Sequence, residues 1–324
     1  MRLASILGVR LARLTLRGLQ TAAFVYCSVI LLLLFLENML VYPAPRFPDG
    51  DWQATWLAHE DVYFNSADET RLHGWYVEHP RPKAVILYCH GNGTHVAHLA
   101  EFLREMRDEF QVSVFVFDYR GYGRSAGRPA ERGILEDSEA AQEWLAKRAG
   151  LDKKDIVLMG RSLGGGIALH LAAKNGARAV ILQSTFTSLH DAAAANYPWV
   201  PVRRLMKNRY DAISWLSRYS GPLFLSHGTA DRIIPFAHGQ KLFAAATVPR
   251  NSSSLPAETT MTPSRSTIFR SCGSSWTHCQ SSLHTPCAGV RSRSEQTTFT
   301  GATRTTRTSP RVAANMQRPL SARR

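Results

Sequence analysis

The sequence predicts an α/β protein: a mostly parallel sheet with helices on both faces, preceded by one transmembrane helix. Three observations carry this prediction. Short apolar runs bounded by turn residues alternate with helical stretches through the middle of the chain, which is the pattern of a parallel sheet. One strand-to-helix junction reads Gly160-Arg161-Ser162-Leu163-Gly164. Near the start, Gly18 to Leu36 is nineteen residues without a charge, long enough to span a bilayer.

Taken in order, residues 1–17 form a basic flank holding Arg2, Arg10, Arg13 and Arg17, and 18–41 form the signal-anchor. A cleaved signal peptide is the rival reading, but the run is long for one and no Ala-x-Ala-like site follows in Glu37-Asn38-Met39-Leu40-Val41-Tyr42-Pro43. Four arginines before the span predict an inside N-terminus, with the folded domain across the membrane.

The folded domain is expected over 51–249. Ala84 to Tyr88 reads as a buried strand, then His90-Gly91-Asn92-Gly93, then a helical stretch from Val96 to Phe110. Val112 to Phe117 is the next strand, followed by Asp118-Tyr119-Arg120-Gly121-Tyr122-Gly123. Ile134 to Ala149 is an amphipathic helix closed by Gly150. Ile156 to Met159 leads into Ser162, and Ala179 to Leu182 and Pro222 to Leu225 are further strands, with a helix near Phe236 to Ala246. Residues 190–219, rich in Trp, Tyr and Arg, read as a small cap.

A Gly-x-Ser-x-Gly string between a buried strand and a helix is a nucleophile-elbow signature. The turn lifts the serine hydroxyl out of the sheet, and glycines flank it because a side chain there collides with its neighbours. Ser162 is therefore the expected nucleophile. The Leu163 N–H at the helix start is one expected oxyanion donor, and the Asn92 N–H in the turn after the earlier strand is the second. Asp231, following the strand Pro222 to Leu225, is the expected acid, since this architecture orders its triad Ser, acid, His. The plain alternative for Asp231 is a turn aspartate bonding its own backbone. His90 precedes its turn and is expected to be structural.

Four motifs in fixed order carry a family resemblance: His90-Gly91-Asn92-Gly93, Asp118 to Gly123, Gly160 to Gly165, and Ser226-His227-Gly228-Thr229-Ala230-Asp231. From about Val41 to Ala246 the chain resembles the membrane-anchored α/β-hydrolases of the Bem46 type, which group with serine aminopeptidase-like sequences. The resemblance implies an α/β-hydrolase fold and a loop carrying a catalytic histidine near the C-terminal end.

That histidine has no credible counterpart in the frame as written. From Arg250 to Arg324 there are 27 Ser or Thr, 11 Arg, no Lys and two acids, with no apolar period, so the expectation is a disordered tail that supplies neither final strand nor helix. Frameshift is the expected cause. Reading the third base of each codon with the first two of the next, synonymous codons for Arg250 to Thr262 can spell Glu-Phe-Phe-Ile-Pro-Ala-Gly-Gly-Asp-His-Asn-Asp. The last residue is forced by the single methionine codon at Met261. A natural Ser/Thr/Arg-rich extension is the rival explanation. His278 and His284 are present but lie in a context unlike a catalytic loop.

The chain carries a net charge of +14. The tail contributes eleven arginines against two acids and the N-terminal flank four more, leaving +1 for everything between. No basic face for nucleic acid is implied. Cys27 lies in the span, Cys89 at a strand end, and Cys272, Cys279 and Cys287 in the tail, so no disulfide framework follows. No dinucleotide fingerprint, phosphate loop or paired-histidine metal motif is present, and no cofactor is expected. The predicted chemistry is a Ser-His-Asp hydrolysis of an ester, thioester or related acyl bond in a small-molecule or lipid substrate. The alternative is a catalytically dead homologue acting as a binding module, because the histidine is missing.

Overall fold

The central strands are apolar at almost every position because both of their faces are covered, and alternate side chains go to opposite clusters. Ile86, Tyr88, Val114, Val116, Val157 and Met159 enter one core; Leu87, Cys89, Phe115, Phe117 and Leu158 enter the other. Both layers exclude water, and each such aliphatic side chain contributes about 1.5–3 kcal/mol by its burial.

The computed structural model describes residues 2–246 and 250–255. A long helix α1 (Arg2–Phe35) breaks at Leu36 and continues as the short α2 (Glu37–Val41). The strand and helix elements that follow are β1 (Glu60–Asn65), β2 (Arg71–Val77), β3 (Val85–Cys89), α3 (Ala100–Phe110), β4 (Ser113–Asp118) and α4 (Glu131–Ala149). Then come β5 (Val157–Arg161), α5 (Leu163–Asn175), β6 (Ala179–Gln183), α6 (Leu189–Asn196), α7 (Val202–Leu205) and α8 (Ala212–Leu216). The last are β7 (Leu223–Gly228), α9 (Phe236–Ala245) and β8 (Arg250–Leu255). Helices α6 to α8 fall in the segment expected to be a cap.

Among the described residues the sheet has eight strands in the order β1-β2-β4-β3-β5-β6-β7-β8. It is parallel from β4 through β8, while β2 runs antiparallel to both β1 and β4. The order reverses direction beside β3 and β5, and ligands of open α/β sheets bind beyond the carboxyl ends of strands at such a point.

One expectation is corrected. The tail was expected to leave β7 as an open edge, yet Arg250–Leu255 pairs with it in parallel register from Leu223↔Arg250 to Gly228↔Leu255. The sheet therefore runs six residues past the 249 boundary. A ladder is made of backbone N–H and C=O groups that every non-proline residue owns, so a polar segment with no apolar alternation satisfies it when β7 presents a free edge. The remaining tail expectations, including His278 and His284, lie outside the described residues.

Candidate active site

Ser162 occupies the junction of β5 and α5 with φ 52° and ψ −117°. A non-glycine residue in this left-handed region costs about 1–3 kcal/mol and persists only where its surroundings enforce it. Here they do. The Ser162 N–H donates to the Gln183 carbonyl at 2.9 Å, and its carbonyl accepts from the Gly165 N–H at 3.0 Å and from Thr185 Oγ1 at 2.7 Å. A Cβ on Gly160 would overlap the Gly164 carbonyl, and one on Gly164 would overlap the Cys89 carbonyl. Strand β5, helix α5 and the end of β3 thus meet at glycine thickness, as the motif predicts.

The turn after β3 lies against this elbow. A Cβ on Gly91 would sit 3.7 Å from Ser162 Cβ, so the residue before Asn92 lies beside the elbow. Leu163 begins α5, where backbone N–H groups lack intrahelical partners and favour negative charge. Leu163 thus adjoins Ser162, and the turn that holds Asn92 borders the elbow.

Two contacts of Asn92 were not legible in the sequence. Its amide Nδ2 donates to the Val41 carbonyl in α2, and its Oδ1 accepts from the Tyr122 hydroxyl. Tyr122 lies in one of the motifs singled out above, but no local pattern pairs it with Asn92. Asp118, fully buried, holds the same region by accepting from the Val96 N–H at 2.9 Å and the Arg124 N–H at 3.2 Å.

His90 is structural, as expected. It is buried, stacked on Tyr119 at 4.0 Å, and its Nδ1 donates to the Gly91 carbonyl at 2.8 Å. Burial pushes its imidazole below the ordinary value. Cys89 is likewise buried, and burial pushes its thiol up, away from nucleophilic character.

Asp231 lies in the turn after β7, two strands from β5, at the same carboxyl end of the parallel strands. Hydrogen bonds step across that end from Ser162 N to Gln183 O, then from Ser184 N to Ser226 O at 2.8 Å. Asp231 is buried, and its Oδ1 accepts from the N–H groups of Ile233 and Ile234, both at 2.9 Å. One oxygen thus performs the turn role named as the plain alternative. Its other oxygen, Oδ2, is 3.9 Å from His227 Nε2, which donates to the Ile234 carbonyl at 2.8 Å. Among the described residues no histidine hydrogen-bonds to Ser162 Oγ.

A positive-φ serine just past a parallel strand, with a glycine-containing turn beside it and a carboxylate at the same end of the strands, fits an α/β-hydrolase. Residues 80–219 match the family described as serine aminopeptidase, S33. An uncharacterized protein of Mycobacterium tuberculosis is 35% identical over 230 residues, spanning 70% of this chain and 82% of that one. Protein bem46 of Schizosaccharomyces pombe is 33% identical over 174 residues, spanning 50% and 58%. The chain belongs to the serine aminopeptidase-like α/β-hydrolase family. The Pyrococcus furiosus esterase Pf2001 shares the fold with TM-score 0.58 at 16% identity, covering 74% of this chain and 96% of that one.

Proposed function

We propose that this protein is a membrane-anchored serine hydrolase that cleaves an ester, thioester or related acyl bond. The observation that carries the proposal is the backbone of Ser162, φ 52° and ψ −117°, held at a strand-to-helix junction between two glycines whose places no larger residue could take. Ser162 attacks the acyl carbon, and the N–H groups of Leu163 and Asn92 receive the oxyanion. A histidine takes the serine proton and returns it to the leaving group, while Asp231 holds that imidazole in its productive tautomer. The histidine comes from the alternative reading frame of the tail. No cofactor is needed for these steps.

The anchor is α1, whose segment Ala12–Phe35 has the length and composition to cross a membrane. Leu19, Phe24 and Phe35 on it are largely exposed, as lipid-facing residues are. On the four-arginine bias before the span, the N-terminus lies inside and the hydrolase domain outside.

A second reading rests on one fact: no described histidine reaches Ser162 Oγ. On it, the chain as written is a binding module with a dead site. Fluorophosphonate labelling separates the two. The frame-restored protein is expected to label at Ser162 and to lose labelling in Ser162→Ala, and the literal chain to turn over esters about 10⁴- to 10⁶-fold more slowly. Labelling that survives Ser162→Ala overturns the nucleophile, and equal turnover by the literal chain overturns the frameshift account.

A further inference from the structure

We propose that Asp49, His95 and His98 form a binding site for a divalent transition metal ion of the Zn²⁺ class, apart from the hydrolytic machinery. One ligand atom from each, a carboxylate oxygen and two imidazole nitrogens, lies within 4.8 Å of the other two. His98 Nε2 and Asp49 Oδ2 are 3.2 Å apart. Two ligands of a tetrahedral ion with bonds of 2.0–2.1 Å stand about 3.3 Å apart, so this pair already has the required spacing.

His95 supplies the independent observation. It has no accessible surface, and neither Nδ1 nor Nε2 has a hydrogen-bond partner. Buried polar atoms are rarely left in that condition, because each forfeits the hydrogen bonds it made to water. An ion beside His98 would use one of these nitrogens. The two imidazoles are stacked at 3.7 Å and Trp52 stacks on His95 at 4.8 Å, so His95 is held and the partly exposed His98 ring has to turn out of the stack for both nitrogens to face one ion.

The third ligand is delivered by a loop shaped for close approach. Gly50 has φ +88°, and a Cβ there would stand 3.0 Å from both His95 Cε1 and His98 Cδ2. Glycine is therefore what allows the Asp49–Gly50 backbone to lie on the two rings. Trp52 Nε1 donates to the Asp49 carbonyl and holds the loop there. The Asp49 side chain is 67% exposed and His98 33%, so the site opens to solvent for ion entry, and Asp49 is free to close the remaining gap.

Two imidazoles with one carboxylate favour Zn²⁺, Co²⁺ or Ni²⁺ over Mg²⁺ or Ca²⁺, which take oxygen ligands. Water completes the coordination. The site begins three residues after Asn92, so an ion there would pin the end of that turn to the Asp49–Gly50 loop.

The test is titration of the tag-free, full-length protein in detergent with Zn²⁺ alone, by calorimetry, and with Co²⁺ by its ligand-field absorption. Expected is one tight ion per chain, a rise in melting temperature with Zn²⁺, and at least a tenfold loss of affinity in Asp49→Asn, in His98→Gln and in His95→Phe, the last of which keeps a ring against Trp52. Asp49→Asn changes an exposed group and keeps the fold. Zn²⁺ affinity that is unchanged in Asp49→Asn and His98→Gln, or absence of a tight site in the parent protein, overturns the proposal. The readout is metal binding, so it stands or falls separately from serine labelling.

Discussion

The side-chain amide of Asn92 donates to the backbone carbonyl of Val41, so the turn beside the candidate nucleophile is hydrogen-bonded to the stem that joins α1 to the folded domain. The same side chain accepts from Tyr122. Its own backbone N–H, the group proposed for the oxyanion, is left unaltered by substitution of the side chain.

Asn92→Ala should therefore weaken turnover without abolishing it. Loss of two hydrogen bonds worth about 0.5–1.5 kcal/mol each loosens the turn, and about a tenfold fall in kcat/KM is expected in the frame-restored protein. A loss as large as that of Ser162→Ala would mean that the side chain itself meets the substrate.

Gly164→Ala should be far more damaging than an alanine in a helix normally is. The added methyl overlaps the Cys89 carbonyl, and two backbones cannot part without moving the elbow. Fluorophosphonate labelling should vanish, with a lowered melting temperature. Gly150→Ala serves as the comparison, because its added Cβ has open space around it and costs only the strain of an alanine at φ +64° at a helix end.

Where the chain is truncated should matter more than how much is removed. The Glu37 carboxylate accepts from Lys207 N, Asn208 N and Asn208 Nδ2 at 2.7–3.1 Å, and Tyr42 donates to Asn208 Oδ1 at 2.7 Å. Removal of residues 1–36 is expected to leave a folded domain, whereas removal of 1–42 strips the partners of these buried groups. Hydrogen exchange at Lys207 and Asn208 should rise only in the second truncation; a rise in both would show that the helix itself stabilises the cap.

Acid stability should report the Arg120 cluster. Its guanidinium contacts Asp68 at 2.8 and 3.2 Å and Asp137 at 2.7 Å. The Arg120 hydrogen bonds, with help from Thr70, hold the Asp68 carboxyl at about 2, below its ordinary 3.8. A depressed carboxylate contributes stability that is complete above its unfolded value and is lost as pH falls through the folded one. The melting-temperature difference between the parent protein and Asp68→Asn should be constant near neutrality, shrink below about pH 4 and disappear towards pH 2. A difference that persists unchanged at pH 2 would assign the effect to shape rather than charge.

The strands read from apolar runs, β3 to β7, are all present, because burial on both faces writes itself into consecutive residues. The hairpin of β1 and β2 escaped such a reading: residues such as Glu60, Asp61, Asn65 and Arg71 break the apolar pattern, and one edge of the hairpin meets solvent. Strand β8 escaped it more completely, since Arg-Asn-Ser-Ser-Ser-Leu owes its place to β7's backbone. At the site, the elbow was legible because sterics demand particular residues at adjacent positions. The Asn92–Val41 and Thr185–Ser162 bonds join residues 51 and 23 positions apart. Nothing local records such pairs.

The stem has a consequence for how this protein would meet its substrate. Glu37 grips the cap and Val41 takes the Asn92 amide, both just past the segment Ala12–Phe35. On the proposed reading of α1 as an anchor, such fastenings make the helix and the hydrolase domain a single lever rather than a float on a string. With its heading fixed relative to the bilayer plane, the mouth of the site would sweep one depth of one leaflet. Capture of a molecule dissolved in that leaflet is then a lateral encounter, already oriented, whereas a molecule arriving from water must find the same mouth from the side.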